Sequence, residues 1–177
     1  MAGNTIQSKS LENYLKEAKE HTKDEFMKKH EESCFFVGNV PAATGDASQK
    51  LAFSTLPGGS LKDLDKKVVA GQIVYEIPFD KLSSGQMLWV GRAGNCMIQI
   101  EHPSVSKLQG YIKLDLKEKK IVYADTGSKN GSRIDNKAIS PNMEYPLVSG
   151  HTLGFGETIR LQFYSLPDFR DMLECLK

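Results

Sequence analysis

The stretch from Asp125 to Asn136, read as Asp-Thr-Gly-Ser-Lys-Asn-Gly-Ser-Arg-Ile-Asp-Asn, packs hydroxyl, ammonium and amide donors into a few residues of chain. Ser128, Lys129, Asn130 and Ser132 supply the side chains, while Gly127 and Gly131 let backbone N–H groups approach a ligand closely. The apolar run Ile121-Val122-Tyr123 leads into it and Ile134 follows. This order predicts a strand, a tight loop and a second strand, with Asn130-Gly131 supplying the positive φ values of a hairpin turn. A loop of this kind at a sheet edge has the chemistry of an anion site, or it is only a turn. The same question attaches to Arg92, which directly follows an apolar run, and to Ser106-Lys107 in a short polar segment.

Composition narrows what such a loop can belong to. The chain has 177 residues, of which 40% are hydrophobic, enough for one globular domain with an appendage. With 23 basic against 22 acidic residues the net charge is +1, which argues against bulk electrostatic binding to nucleic acid or to a membrane surface. A charged partner has to be met locally. Cys34, Cys96 and Cys175 lie far apart without paired spacing, so neither a disulfide framework nor a metal site is expected, and no cofactor is implied. A reducing, cytoplasmic setting is the expectation. No segment approaches the ~20 apolar residues of a membrane span, and the polar start does not read as a signal peptide.

The elements that would position these residues follow from periodicity. Ser10 precedes Leu11, Tyr14, Leu15 and Ala18 at helical spacing, and Thr22 to Glu25 forms a capping box for a second short helix, with Phe26 and Met27 inward and an end near His30. These helices either cover one side of a sheet or dock a partner. Cys34 to Val37 reads as a buried strand, residues 38–50 as a loop and residues 51–56 as another strand. Alternation then predicts strands at 72–79, 87–90, 97–100, 111–116, 121–124 and 158–166, the pattern of an antiparallel β-sandwich. Pro167-Asp168 opens a last helix with Phe169, Met172, Leu173 and Leu176 on one face. His21, His30, His102 and His151 all read as solvated. The expected organisation is an N-terminal helical extension over residues 1–50, a sandwich over 51–166 and a C-terminal helix over 167–177.

Three pieces in order, Gly91-Arg92, then Ser104 to Gln109, then Asp125 to Asn136, resemble the forkhead-associated (FHA) domain. Its pattern runs Gly-Arg, Ser-x-x-His, Asp-x-Gly-Ser-x-Asn-Gly-Thr, and a later Gly-Asp before an apolar residue. Here Ser132 stands for the Thr, His151 stands in the region of the Asp, and Gln109 stands for the His. The resemblance spans residues 71–166 and its force lies in order and spacing, since each motif alone is weak. It implies a mainly β, FHA/SMAD-like sandwich in a cytoplasmic, bacterial signalling protein.

The resemblance also implies a phosphothreonine-peptide reader acting as an adaptor, with no enzyme chemistry. Arg92, Ser106, Lys107, Ser128, Lys129 and Asn130 would form the phosphopeptide site, and Gly91, Gln109, Asp125, Gly127 and Gly131 would set loop geometry. A phosphothreonine carries about −1.5 to −2 charges and three acceptor oxygens, which suits a forked arginine, a hydroxyl and an ammonium. Asn130 would hold the peptide backbone, and the residue at 109 would brace the loops from behind. Taken singly, each of these has a structural reading as well: a surface arginine, a turn serine, a positive-φ asparagine. A degenerate FHA scaffold binding an unphosphorylated partner is the first alternative. A second comes from Asp125-Thr126-Gly127-Ser128, which resembles the catalytic loop of aspartic proteases; with one copy in the chain, a homodimer would have to pair two Asp125 carboxyls.

Overall fold

Ser10 and Thr22 begin the N-terminal helices as their sequence signals predict. The computed structural model describes residues 5–41, 69, 71–83, 86–115 and 120–176. Strand β1 is the two-residue Lys9–Ser10, and helix α1 follows over Leu11–Glu20 with the Ser10 hydroxyl accepting from the Asn13 N–H. Helix α2, Lys23–Lys29, carries the full capping box of Thr22 and Glu25. The expected strand over residues 51–56 lies outside the described residues.

Among the described residues twelve strands make two sheets. Beyond β1 they are β2 Ser33–Asn39, β3 Ile73–Pro78, β4 Leu88–Gly91, β5 Ile98–Gln99, β6 Gly110–Asp115 and β7 Lys120–Asp125. Then come β8 Ser132–Ile134, β9 Lys137–Ala138, β10 Glu144–Pro146, β11 Thr152–Phe155 and β12 Ile159–Ser165. One sheet runs β1-β3-β2-β12-β11-β8-β9 and the other β10-β7-β6-β4-β5. Every pairing is antiparallel except β4 with β5, where Val90↔Ile98 and Gly91↔Gln99 run parallel. The expected antiparallel β-sandwich is thus present, with this one short parallel pair added. Residues 92–97 double back in a tight loop held by the Cys96 N–H on the Ala93 carbonyl, so the returning strand runs the same way as β4 and pairs over two residues only.

Period-two alternation sorts side chains onto the two faces of the seven-stranded sheet. Cys34, Phe36, Tyr75, Ile77, Leu161 and Phe163 point between the sheets, where they meet Leu88, Val90, Ile112 and Tyr123. Phe35, Val37 and Val74 point the other way and are covered by Leu11, Tyr14, Ala18 and Phe26 together with Phe169 and Leu173 of the C-terminal helix Leu166–Cys175. Three layers result: helices over the β2 and β3 part of the seven-stranded sheet, that sheet itself, and the five-stranded sheet. Phe35 and Phe169 stack at 4.1 Å, pinning the last helix to β2. Full burial of such a side chain contributes about 1.5–3 kcal/mol. The apolar face expected for the last helix does not include Arg170, yet its side chain is buried there. It donates to the Ala18 carbonyl, lies over the Phe26 ring and pairs with Glu174.

His30 corrects the solvated reading. It is 4% exposed, with Nδ1 2.7 Å from Glu76 Oε1 and Nε2 3.0 Å from Glu17 Oε1. Tyr14 donates its hydroxyl to the other oxygen of Glu76 at 2.9 Å. Burial opposes the charge on His30, but the hydrogen bonds and charges of Glu76 and Glu17 outweigh it and hold its pKa above the ordinary histidine value. Burial likewise works against both carboxylates, and their cationic and hydrogen-bonding partners hold both below the usual range. Flanking lysines and glutamates concealed this position in the sequence. Met27 is half-buried, while Phe26 carries the inward face of α2 alone.

The loop after β7 is not a hairpin turn. β7 belongs to the five-stranded sheet and β8 to the seven-stranded one, so residues 126–131 cross from sheet to sheet at one end of the sandwich. Positive φ falls on Gly127 and Gly131, not on Asn130. The true two-residue hairpin lies just beyond, between β8 and β9, where Asp135 and Asn136 take φ values of 49° and 64°.

Candidate functional site

Gly91 closes β4 at a place where any side chain would collide with the next loop: a Cβ would stand 2.4 Å from the Lys107 carbonyl oxygen. That close approach lets the Arg92 N–H donate to the Ser106 carbonyl at 2.9 Å and the Ala93 N–H to the Lys107 carbonyl at 3.0 Å. The end of β4 and the segment 104–109 are therefore stitched together, and Arg92 emerges beside Ser106. Its Nε donates to the Val105 carbonyl at 3.2 Å, which fixes the plane of the guanidinium. Arg92 and Lys107 are both exposed.

Behind these loops lies a buried polar network centred on Gln109, which is 0% exposed. Its side-chain carbonyl accepts the Ser106 N–H at 2.9 Å. Its amide nitrogen lies 2.6 Å from Ser128 Oγ, 3.0 Å from Ser132 Oγ and 3.2 Å from the Gly131 carbonyl. One side chain thus grips the segment 104–109 with its acceptor and the crossing loop with its donors. Asp125, 2% exposed, completes the network. One carboxylate oxygen accepts from the Gly127 and Ser128 N–H groups, each at 2.8 Å, and the other from the hydroxyls of Ser128 at 2.6 Å and Ser132 at 2.5 Å. Tyr123 closes it with its hydroxyl 2.8 Å from Ser132 Oγ; burial drives the Tyr123 pKa far up, so the phenol stays neutral and available to donate. A carboxylate so enclosed anchors a loop. It has no open face on which to activate a water with a second copy, which counts against the protease reading of Asp125.

At the tip the loops touch directly. The Lys129 N–H donates to Ser106 Oγ at 2.9 Å, and Asn130 Nδ2 donates to the Ser104 carbonyl at 2.8 Å. Arg92, Ser106, Lys107, Lys129 and Asn130 consequently stand at one end of the sandwich, with Lys129 and Asn130 exposed and Ser106 half-buried. Ser106 accepts through its oxygen and keeps its hydroxyl proton. Asn130 uses its amide nitrogen and keeps its carbonyl oxygen. Ser128 is placed differently, with its hydroxyl turned into the Asp125 and Gln109 network and away from the exposed tip.

Some contributors carry little sequence signal. His102, half-buried, accepts the Ser104 N–H through Nδ1 at 3.2 Å, with Ser104 Oγ 2.7 Å away, so it shapes the segment from which Asn130 hangs. Burial holds its pKa below the ordinary value, consistent with a neutral ring accepting at Nδ1. With Arg92, Glu101 and Pro103 it lines an open depression beside the tip. Gly156, at φ 57°, sits under Asn130, where a Cβ would come within 3.3 Å of the asparagine's own. Ser132 and Tyr123 belong to the brace; the sequence marked Ser132 as a donor of the loop, whereas Tyr123 stood only in the apolar run before it. Among the described residues no cluster of histidine, cysteine or carboxylate side chains could hold a metal ion. No helix there is long and apolar enough to cross a membrane.

Comparison with known proteins bears on this end of the molecule. Residues 88–156 match the family model of the FHA domain. No curated protein matches the chain. A solved structure from a structural and functional analysis of phosphothreonine-dependent FHA domain interactions is 19% identical, covering 54% of this chain and 86% of its own, with a TM-score of 0.43. The FHA domain of an Arabidopsis thaliana hypothetical protein is 25% identical over 45% of this chain and 66% of its own, at a TM-score of 0.42. The FHA domain of the CT664 protein from Chlamydia trachomatis is 16% identical over 75% of this chain and 97% of its own, at a TM-score of 0.46. The matched residues begin at β4 and end at Gly156, so they include Gly91-Arg92, the whole brace and the exposed tip.

Proposed function

We propose that the FHA-matched part of this chain binds phosphothreonine in a partner protein, and that the chain acts as a non-enzymatic adaptor downstream of threonine phosphorylation in the cytoplasm. Arg92 offers a forked pair of N–H donors to two phosphate oxygens, the Ser106 hydroxyl donates to a third, and Lys107 adds a nearby point charge. The free carbonyl oxygen of Asn130 accepts from the peptide backbone, Lys129 flanks it, and Ser128 shapes the loop from within. The observation that carries this reading is the buried brace of Gln109. It ties the Ser106 N–H to Ser128, Gly131 and Ser132 of the crossing loop and the start of β8, so donors from three separate stretches are held in place before a ligand arrives.

Charge-assisted hydrogen bonds contribute about 1.5–3 kcal/mol each, so Arg92→Ala weakens phosphopeptide binding by about ten- to a hundredfold. Lys107→Ala costs less, and its share shrinks with added salt because an exposed ammonium is screened. Fluorescence titration of a phosphothreonine peptide library against wild type and both variants, at low and high salt, tests the assignment. Binding indifferent to Arg92→Ala sends the reading to the scaffold alternative.

A further inference from the structure

A pair of arginines stands on the far side of Gly156 from Asn130. In the register of the seven-stranded sheet, Arg133 of β8 and Arg160 of β12 both lie opposite Gly154 of β11, one on each side. Their neighbours Leu153, Phe155, Ile159 and Leu161 point between the sheets, so alternation turns both arginines to the outer face. Gly154 has no side chain to separate them, and the Arg160 guanidinium lies across it: a Cβ there would meet Nη1 at 3.0 Å and Cζ at 3.2 Å. Both guanidinium groups then converge on one atom. Nη1 of Arg133 donates to the Gly156 carbonyl at 2.7 Å, and Nη1 of Arg160 donates to the same oxygen at 3.2 Å and to the Ile159 carbonyl at 2.7 Å.

These are two half-buried cations with neutral acceptors only. Among the described residues no carboxylate forms an ion pair with either, and only the charge of Glu157 acts on Arg160 in their favour. Burial first, and then the charge of Arg133, hold the Arg160 pKa below the ordinary arginine value. Like charges brought together in a half-buried setting are destabilising unless an anion joins them. Each guanidinium still has donors beyond the one engaged on Gly156, and two adjacent forks suit the oxygens of a carboxylate or a phosphate.

We propose that Arg133 and Arg160 form a second anion site that takes an acidic or phosphorylated side chain of the partner peptide, a few residues along the chain from the phosphothreonine. This rests on the phosphothreonine reading for the first contact. The spacing follows from Gly156, whose carbonyl holds both arginines while its Cα side packs against Asn130 and the Ser104 carbonyl. An extended peptide advances roughly 3.3 Å per residue, so the two sites are bridged by a short segment. Recognition would then need two negative groups in register, which selects among phosphothreonine sequences more sharply than one site can.

The experiment has two arms. In the first, phosphothreonine peptides carrying a single aspartate at each position from four before to four after are titrated against the whole chain. One position should gain about tenfold over its alanine counterpart. The Arg133→Lys/Arg160→Lys double variant, which keeps charge and loses the forks, should cancel most of that gain and leave the aspartate-free peptide unchanged. Gain at no position, or gain that survives the double variant, overturns the proposal. In the second arm inorganic phosphate is titrated into Arg92→Ala protein while the arginine side-chain N–H signals are followed by NMR. Shifts at Arg133 and Arg160 are expected even where the first site has been removed. No shift there overturns the second site by itself, whereas shifts there without phosphopeptide binding in wild type would overturn only the first.

Discussion

Two buried polar networks hold this molecule's layers in register, and they are built from opposite chemistry. Between the helices and the seven-stranded sheet, His30 sits between Glu17 and Glu76 with Tyr14 behind, a cluster of charged groups that can gain or lose protons. Behind the exposed loops, Gln109 fills the centre of a network with an amide that does neither. The central side chain of each is closed from solvent. The first ties secondary structure together and presents nothing outward, whereas the second supports a tip on which Arg92, Lys107 and Lys129 carry exposed positive charge. Burial and hydrogen bonding alone therefore do not mark a site; unused donors in front of a fully used brace do.

Removing the helical side breaks the comparison most severely. A chain starting at Gln72 loses β2, which lies between β3 and β12, as well as the helices that cover the outer face of the sheet. We expect loss of cooperative folding, checked by thermal denaturation followed by circular dichroism. Asp125→Ala comes next. It strips the partner from two backbone N–H groups and two hydroxyls at once, and should cost about 3 kcal/mol or more in urea denaturation while also abolishing peptide binding. Gln109→Ala should cost about 2 kcal/mol and weaken phosphopeptide affinity in step. Gln109→His, which keeps one donor and one acceptor in the ring, should recover most of both.

The smallest effect separates the two networks by pH. The pKa of His30 is raised in the folded state, so its contribution is fully present below the unfolded value, about 6.5, and is lost as pH rises through the folded value. Glu17 and Glu76 are lowered, so theirs is present above about 4.5 and is lost as pH falls through their folded values. Stability from this cluster should therefore peak between those limits and decline as pH rises beyond the unfolded histidine value. His30→Gln should flatten that decline in denaturation curves from pH 6 to 8.5. Phosphopeptide affinity between pH 7 and 8.5, above the second phosphate ionisation near 6, should stay level because Gln109 does not titrate.

Local signals carried much of this architecture. Caps at Ser10 and Thr22, alternation in β3, β6 and β12, and the apolar face of the last helix were all legible, because each depends on residues a few positions apart. What was hidden depends on distant partners. His30 reads as solvated beside Lys28, Lys29, Glu31 and Glu32, and only Glu76 from β3 explains its burial. The loop at 126–131 has the composition of a hairpin, but composition does not say that the next strand joins the other sheet. Asn136, not Asn130, proved to be an asparagine with positive φ, since both sit in turn-forming sequences. Gln109 was legible as a substitute in a recognisable frame, and its burial and its contacts with Ser106, Ser128, Gly131 and Ser132 needed the fold.

A phosphothreonine reader must distinguish a phosphate from a hydroxyl at its tip. Isothermal calorimetry of one peptide in two forms, with threonine or phosphothreonine at the centre, on wild type and on Arg92→Ala, tests this. The account predicts binding of the phosphorylated form alone, weakened by about ten- to a hundredfold in Arg92→Ala. Equal affinity for the two forms would contradict it.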